Sequence, residues 1–444
     1  MIRSQGSSIS RFVRWTLASC CAGALSWPLA APVTRDPAIP GNLAAPALKL
    51  LPQESPAFAQ FRKGVQHLAR GDLTAAEAAF KLASAKDARL AAPLIGLAHV
   101  ALQRGQSKEA ERLLSRALDL EPGSDETWVA WGRFKRAQGQ FADAETSFRK
   151  AVSLGNPVTA KLELGDLYLT DMNKVGAALG QFREAASADP SSAAAHYRLG
   201  VALAVNKQAQ DAVQSFERAA SLAPRDPEPV RAIGRLQAEQ RDFKRAAATF
   251  DRALVIRPDH APLLVDRGDV AAATGDWTLA ASCFRKALNA APGAAAVWLK
   301  LGLAEMQLKN LDSADKSFRK AIELAPKQPE AYNSLAWLLA ERKIKLDEAL
   351  RLAEVAVRLS PRDASVIDTL ATVHRARGDH AKALEVLLGA SQLLPDNAAL
   401  QLRLGSFALE AGDKERARRA WERVLALDPK GEQGREARRR IEAL

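Results

Sequence analysis

Cysteine is scarce: three in 444 residues. Cys20 and Cys21 sit in an uncharged N-terminal stretch, and Cys283 stands alone beside Phe284. A lone thiol in the body of the chain excludes a disulfide framework and reads as a small core residue. Histidine is sparse too, at His67, His99, His196, His260, His374 and His380. No two of these form a His-x3-His pair or join a cysteine at metal-ligand spacing. The sequence also has no glycine-rich phosphate loop and no Gly-x-Ser-x-Gly elbow. These absences lead us to expect no catalytic residue, metal or cofactor. The formal charge of +12 lacks the clustered arginines with interleaved aromatics that nucleic-acid binding calls for. Its densest runs, Lys414 to Arg423 and Arg435 to Arg440, are interleaved with Glu415, Glu422 and Glu436, as on a solvated helix face.

What is present is a period. With Ala295 as position 1, Trp298, Leu301, Gly302, Ala314, Phe318, Ala321 and Pro326 fall at positions 4, 7, 8, 20, 24, 27 and 32. The same phases recur 34 residues earlier at Leu264, Gly268, Ala280, Phe284, Ala287 and Pro292, and twice more without a gap. With small slips the pattern extends to eleven units, starting near 57, 91, 125, 158, 193, 227, 261, 295, 329, 364 and 398. The fourth and ninth units each carry one inserted residue. A fixed period of this length signals a solenoid. Small residues at positions 8, 20 and 27 let two helices approach closely, and large apolar residues at 4, 7, 11 and 24 fill the space between them. Proline at 32 cannot continue a helix. Mid-unit turns such as Arg70-Gly71-Asp72 and Thr274-Gly275-Asp276 supply the helix stop. With the units covering 57–431, no segment of roughly 100 residues remains outside them for a catalytic domain.

This pattern resembles the tetratricopeptide repeat. The resemblance implies an all-α, right-handed superhelical solenoid of about eleven helical hairpins, acting as a non-catalytic scaffold for proteins or extended peptides. Residues 432–444 read as a capping helix, with Ala437, Ile441 and Leu444 covering the last repeat. In this family, positions 2, 5, 9 and 12 of each first helix line a concave groove. Mapped onto this chain they implicate Arg133, Arg136, Tyr197, Val201, Arg231, Arg235, Leu299, Leu303, Met306, Asn333 and Trp337 in partner binding. Trp337 is the expected anchor, left partly exposed on the groove wall. The Lys/Asn/Arg set of chaperone-tail clamps is missing. So is the position-6 asparagine ladder of sugar-nucleotide transferases. The words Asn333-Ser-Leu-Ala-Trp337 and Val366-Ile-Asp-Thr-Leu370 also resemble exported bacterial tetratricopeptide proteins, some tied to exopolysaccharide or envelope assembly. The resemblance thus carries an alternative, an accessory subunit for export or assembly of an anionic polysaccharide.

The N-terminus differs in kind. Arg3, Arg11 and Arg14 precede any acidic residue, and Trp15 to Thr34 carries no charge. Residues 1–31 read as a signal peptide ending in small residues at Ala30-Ala31, or as an uncleaved membrane anchor. Removing them takes three arginines and no acid from +12, leaving +9. The expectation is a periplasmic or secreted protein. In the alternative, the array stands in the periplasm on an inner-membrane anchor, with no other membrane contact. Residues 32–56, rich in proline and alanine, read as a flexible linker.

Overall fold

The computed structural model describes Ala47 and residues 55–155 and 158–444. The expected signal segment, and the linker apart from Ala47, Ser55 and Pro56, lie outside the described residues. Among the described residues there are 23 α-helices and no strand. Two compact units hold them, meeting in sequence at Leu236 and Gln237 within one helix, α11 (Glu228–Glu239).

The first unit has five hairpins: α1 (Pro56–Ala69) with α2 (Leu73–Lys86), α3 (Ala91–Gln103) with α4 (Ser107–Leu120), α5 (Asp125–Ala137) with α6 (Phe141–Gly155), α7 (Val158–Asp166) with α8 (Val175–Ala188), and α9 (Ala193–Val205) with α10 (Ala209–Leu222). The second begins with α12 (Phe243–Ile256) and continues with α13 (Ala261–Ala273) and α14 (Trp277–Ala290), α15 (Ala295–Gln307) and α16 (Leu311–Leu324), and α17 (Pro329–Arg342) and α18 (Leu346–Leu359). It ends with α19 (Ala364–Arg377) and α20 (His380–Leu393), α21 (Ala398–Glu410) and α22 (Lys414–Leu427), and the cap α23 (Glu432–Glu442). The fold class is the expected all-α solenoid of hairpins, the two helices of each named hairpin packing on each other and, within each unit, on the next hairpin.

One steric pairing closes the hairpins. A Cβ on the position-8 glycine would lie 2.5 Å from the position-24 ring at Gly132 and Phe148, 2.7 Å at Gly200 and Phe216, and 2.5 Å at Gly302 and Phe318. The ring occupies the space a side chain would need. In the three repeats with no aromatic at position 24, position 8 is alanine: Ala98 with Leu114, Ala336 with Ala353, Ala371 with Leu387. All six are buried, so ring and methyl group trade volume within one packed interior.

The mid-repeat turn is a second fixed point. Gly71, Gly105, Gly139, Gly275, Gly378 and Gly412 have φ between 73° and 88°. Asn173, Lys207, Arg241, Lys309 and Lys343 take the equivalent place with φ between 52° and 61°. A side-chain-bearing residue in this left-handed region costs about 1–2 kcal/mol. Lys309→Gly is therefore expected to raise stability by up to about 1 kcal/mol, once glycine's extra freedom in the unfolded chain is deducted. Lys320→Gly, inside α16, should lower stability by about 1 kcal/mol. Equal losses at both positions in urea unfolding would refute the strain at Lys309.

Position 4 does more than fill space. The indole Nε1–H of Trp298 donates to the carbonyl of Pro292 at 2.9 Å, that of Trp128 to Pro122 at 2.9 Å, and the Tyr332 hydroxyl to Pro326 at 3.2 Å. In these three repeats the first helix is thus tied to the end of the preceding repeat. The inserted residue of the fourth repeat is absorbed as a π turn, Leu167–Asp171, in which the Met172 N–H donates to the Leu167 carbonyl at 3.1 Å. At the C-terminus, Ala437 is buried with Ala408, Ala417, Trp421 and Val424, and Ile441 and Leu444 pack against them. This is the expected cap.

One residue of the expected linker stretch besides Ser55 and Pro56 is described: Ala47 is 1% exposed and belongs to the buried cluster that includes Phe61, Ile95 and Leu102.

Candidate partner-binding surface

Successive first helices are joined by charge. Position 9 of one repeat meets position 6 of the next: Arg133 to Glu163 at 2.6 Å and Asp166 to Arg198 at 2.9 Å in the first unit, Asp269 to Lys300 at 2.5 Å in the second. Arg403, at position 6 of the last repeat, bonds Thr372 at 2.9 Å and Asp368 at 2.5 Å. Arg136, one turn beyond Arg133, reaches Asp171 at 2.5 Å and Thr170 at 2.7 Å on the π turn. The inserted residue therefore places a carboxylate where this arginine needs one.

The candidate residues of the first unit stay reachable. Arg133 and Arg136 are half-buried but neutralised within the seam. Tyr197 is half-buried, its ring 5.5 Å from that of Phe216, and burial holds its phenol above the usual tyrosine value. Val201 and Arg235 are half-buried, and Arg231 pairs with Glu228 at 3.1 Å.

In the second unit the outcome differs. Leu299, Leu303, Met306, Asn333 and Trp337 are all buried, and Trp337 is only 5% exposed. The expected half-exposed anchor is corrected: Trp337 shares a buried cluster with Leu299, Leu303, Met306, Leu335 and Val373. The cause lies next door. Helices α17 and α19 pack directly on each other, and the small residues Ser365 and Thr369 of α19 are buried. The Asn333 Nδ2–H donates to Ser365 Oγ at 3.2 Å across that contact.

His99, at position 9 of the second repeat, is buried, and burial lowers its imidazole from 6.5 to about 4. The unfolded chain then takes up a proton near pH 6.5 that the folded chain refuses until about pH 4. Stability from this group is full above that window and falls through it, by about 3 kcal/mol in all. His99→Gln should remove this part of the acid loss, seen as a flatter melting temperature between pH 6.5 and 4. Parallel curves for the two proteins would refute the assignment.

Among the described residues, no group of three or more His, Cys, Asp or Glu is placed to hold a metal ion. None of their helices is long and apolar enough to cross a membrane.

Family models described as tetratricopeptide repeat match residues 67–130 and 168–227. A third, described as the C-terminal domain of cilia and flagella-associated protein 70, matches residues 227–441. The array is built of tetratricopeptide repeats. Among curated proteins, cellulose synthase operon protein C of Pseudomonas fluorescens (strain SBW25) is 32% identical over 110 residues, covering 22% of this chain and 8% of that protein. Yeast Tom70 is similar at 16% identity and a TM-score of 0.42, over 88% of this chain and 96% of that one. The structure titled as YrrB, a TPR protein with an unusual peptide-binding site, is 24% identical with a TM-score of 0.39, over 45% and 98%. Tetratricopeptide solenoids are typically non-catalytic scaffolds, and such an array fits protein–protein binding.

Proposed function

We infer that this chain is a non-catalytic tetratricopeptide scaffold of the bacterial envelope, exported by its N-terminal segment, that captures a protein or extended peptide. The observation carrying the partner class is the half-buried wall of repeats 5 and 6, where Tyr197, Val201, Arg231 and Arg235 share the groove phase without being sealed in the core. An aromatic and arginines in partly desolvated positions are the side chains that dominate protein interfaces. The basic start and uncharged run of residues 1–34 support the envelope location. Capture from intact envelopes tests the partner, with Tyr197→Ala as the control. Loss of the captured protein with unchanged melting supports the reading, whereas retention sinks the assigned surface. An enzymatic reporter active only in the periplasm, fused after Leu444, tests location.

The second reading is an accessory role in assembling an anionic polysaccharide. The segment shared with cellulose synthase operon protein C favours a polysaccharide role as such, cellulose being an uncharged polymer. The neutralised arginines of repeat 3 count against it. Salt separates the two, because screening weakens an exposed arginine site far more than an apolar one.

A further inference from the structure

Six large apolar side chains of the second unit are exposed, and four of them share one edge: Val255, Leu324, Leu359 and Leu393. Val255, 82% exposed, is the penultimate residue of α12, and Leu324, Leu359 and Leu393 are the last residues of α16, α18 and α20. All four stand where a second helix ends and the chain crosses to the next repeat. In a stack of hairpins, residues of equal phase form a row. The same edge is basic. Arg252 and Arg257 flank Val255, Lys320 and Lys327 flank Leu324, and Arg358 and Arg362 flank Leu359. Of these six, all but Lys320 are exposed and pair with no carboxylate among the described residues. The acids at positions 26–33 of repeats 6 to 10 are Asp259, Glu323 and Asp396. Two are already paired, Glu323 with Lys320 at 2.7 Å and Asp396 with Arg423 at 2.7 Å.

We propose that this edge of the second unit docks on an anionic lipid surface, its leucines entering the headgroup boundary and its arginines and lysines meeting the lipid phosphates. Apolar tips set among unpaired cations are the chemistry that binds a charged bilayer interface. A folded protein partner calls for something else, a contiguous packed centre rich in aromatic residues. Positions 26–33 of repeats 6 to 10 contain no aromatic residue, and the exposed apolar side chains stand one to a repeat. A fluid surface asks for no shape complementarity, so a row at repeat spacing suits it. A soluble polyanion would use the cations and gain nothing from the leucines. The docking is peripheral, because no described helix is long and apolar enough to cross a membrane. It goes beyond the capture of a protein partner and does not depend on it, since it uses none of the residues of the repeat 5 and 6 wall.

The test uses the full-length chain, vesicles of phosphatidylglycerol mixed with phosphatidylcholine at low salt, and lysine acetylation as a footprint. Lys327 should be shielded at least about fivefold, while Lys309, exposed in the mid-repeat turn at the opposite edge, reacts as before. Phosphatidylcholine alone should shield neither. Each cation held at an anionic leaflet is worth about fivefold in partitioning, so Arg358→Glu with Arg362→Glu should raise the lipid needed to shield Lys327 at least about 25-fold. Leu324→Ser with Leu359→Ser should raise it at least about fivefold. All four side chains are exposed, so helical dichroism and melting should stay as in wild type. No shielding of Lys327, or shielding of Lys309 and Lys327 alike, overturns the proposal. Shielding that phosphatidylcholine alone reproduces, or that both pairs of substitutions leave unchanged, overturns it too. Shielding lost with the arginines but kept without the leucines, and reproduced by soluble polyglutamate, replaces the bilayer by an acidic chain and overturns the lipid assignment.

Discussion

Gly302→Ala is expected to cost about 2 kcal/mol, and Phe318→Leu placed in the same chain is expected to return part of that loss. The added methyl group would sit 2.5 Å from the Phe318 ring, with Leu301, Ala314 and Ala321 buried around the contact. Neither partner can retreat, and overpacking of this kind costs about 1–3 kcal/mol. Phe318→Leu alone leaves a void and costs about 1–2 kcal/mol by the transfer-plus-cavity argument. Together the two changes recreate Ala98 with Leu114 or Ala371 with Leu387, pairs the chain already uses. The double mutant should therefore be at least about 1 kcal/mol more stable than additivity allows, a coupling that a double-mutant cycle in urea resolves. Additive losses would show that ring and glycine do not compete for one volume.

That size trade is visible in the letters once positions 8 and 24 are read together. Read separately, position 8 is only a small residue and position 24 only a large one. The hairpins, the turn phase and the cap were legible because each rests on local periodicity: a glycine stop, a proline end, an apolar stripe. Trp337 shows where that stops. Its phase put it on the groove face, but phase says nothing about how far neighbouring first helices stand apart. That spacing depends on side-chain volume summed over two repeats. Helices α17 and α19 meet with the small residues Ser365 and Thr369 of α19 buried, and the wall folds into core. Ala47 escaped for a related reason. An irregular Pro- and Ala-rich stretch has no period to betray burial. The charge seam could have been found, since Arg133 with Glu163 and Asp166 with Arg198 are opposite charges at positions 9 and 6 of successive repeats.

Glu163→Leu is expected to be the most damaging change in the first unit. The carboxylate is 4% exposed and faces Arg133, itself 12% exposed, at 2.6 Å, with Arg136 at 3.9 Å. Removing it leaves a desolvated guanidinium without its partner, a loss of about 3–5 kcal/mol. Arg136 keeps Asp171 and Thr170 and should suffer less. Arg133→Leu with Glu163→Leu removes both charges and replaces them with apolar volume. It should return to within about 1–2 kcal/mol of wild type, because a buried pair gains little over a hydrophobic contact. The pair then matters through the penalty for breaking it, which fixes the register of α5 on α7. The same variants weigh the polysaccharide reading. If Arg133 were held for an anionic polymer, Glu163→Gln would release it and strengthen retention on an anionic polysaccharide column at low salt. The seam interpretation expects Glu163→Gln to lose stability with retention unchanged. Stronger retention without a fall in melting temperature would reverse it.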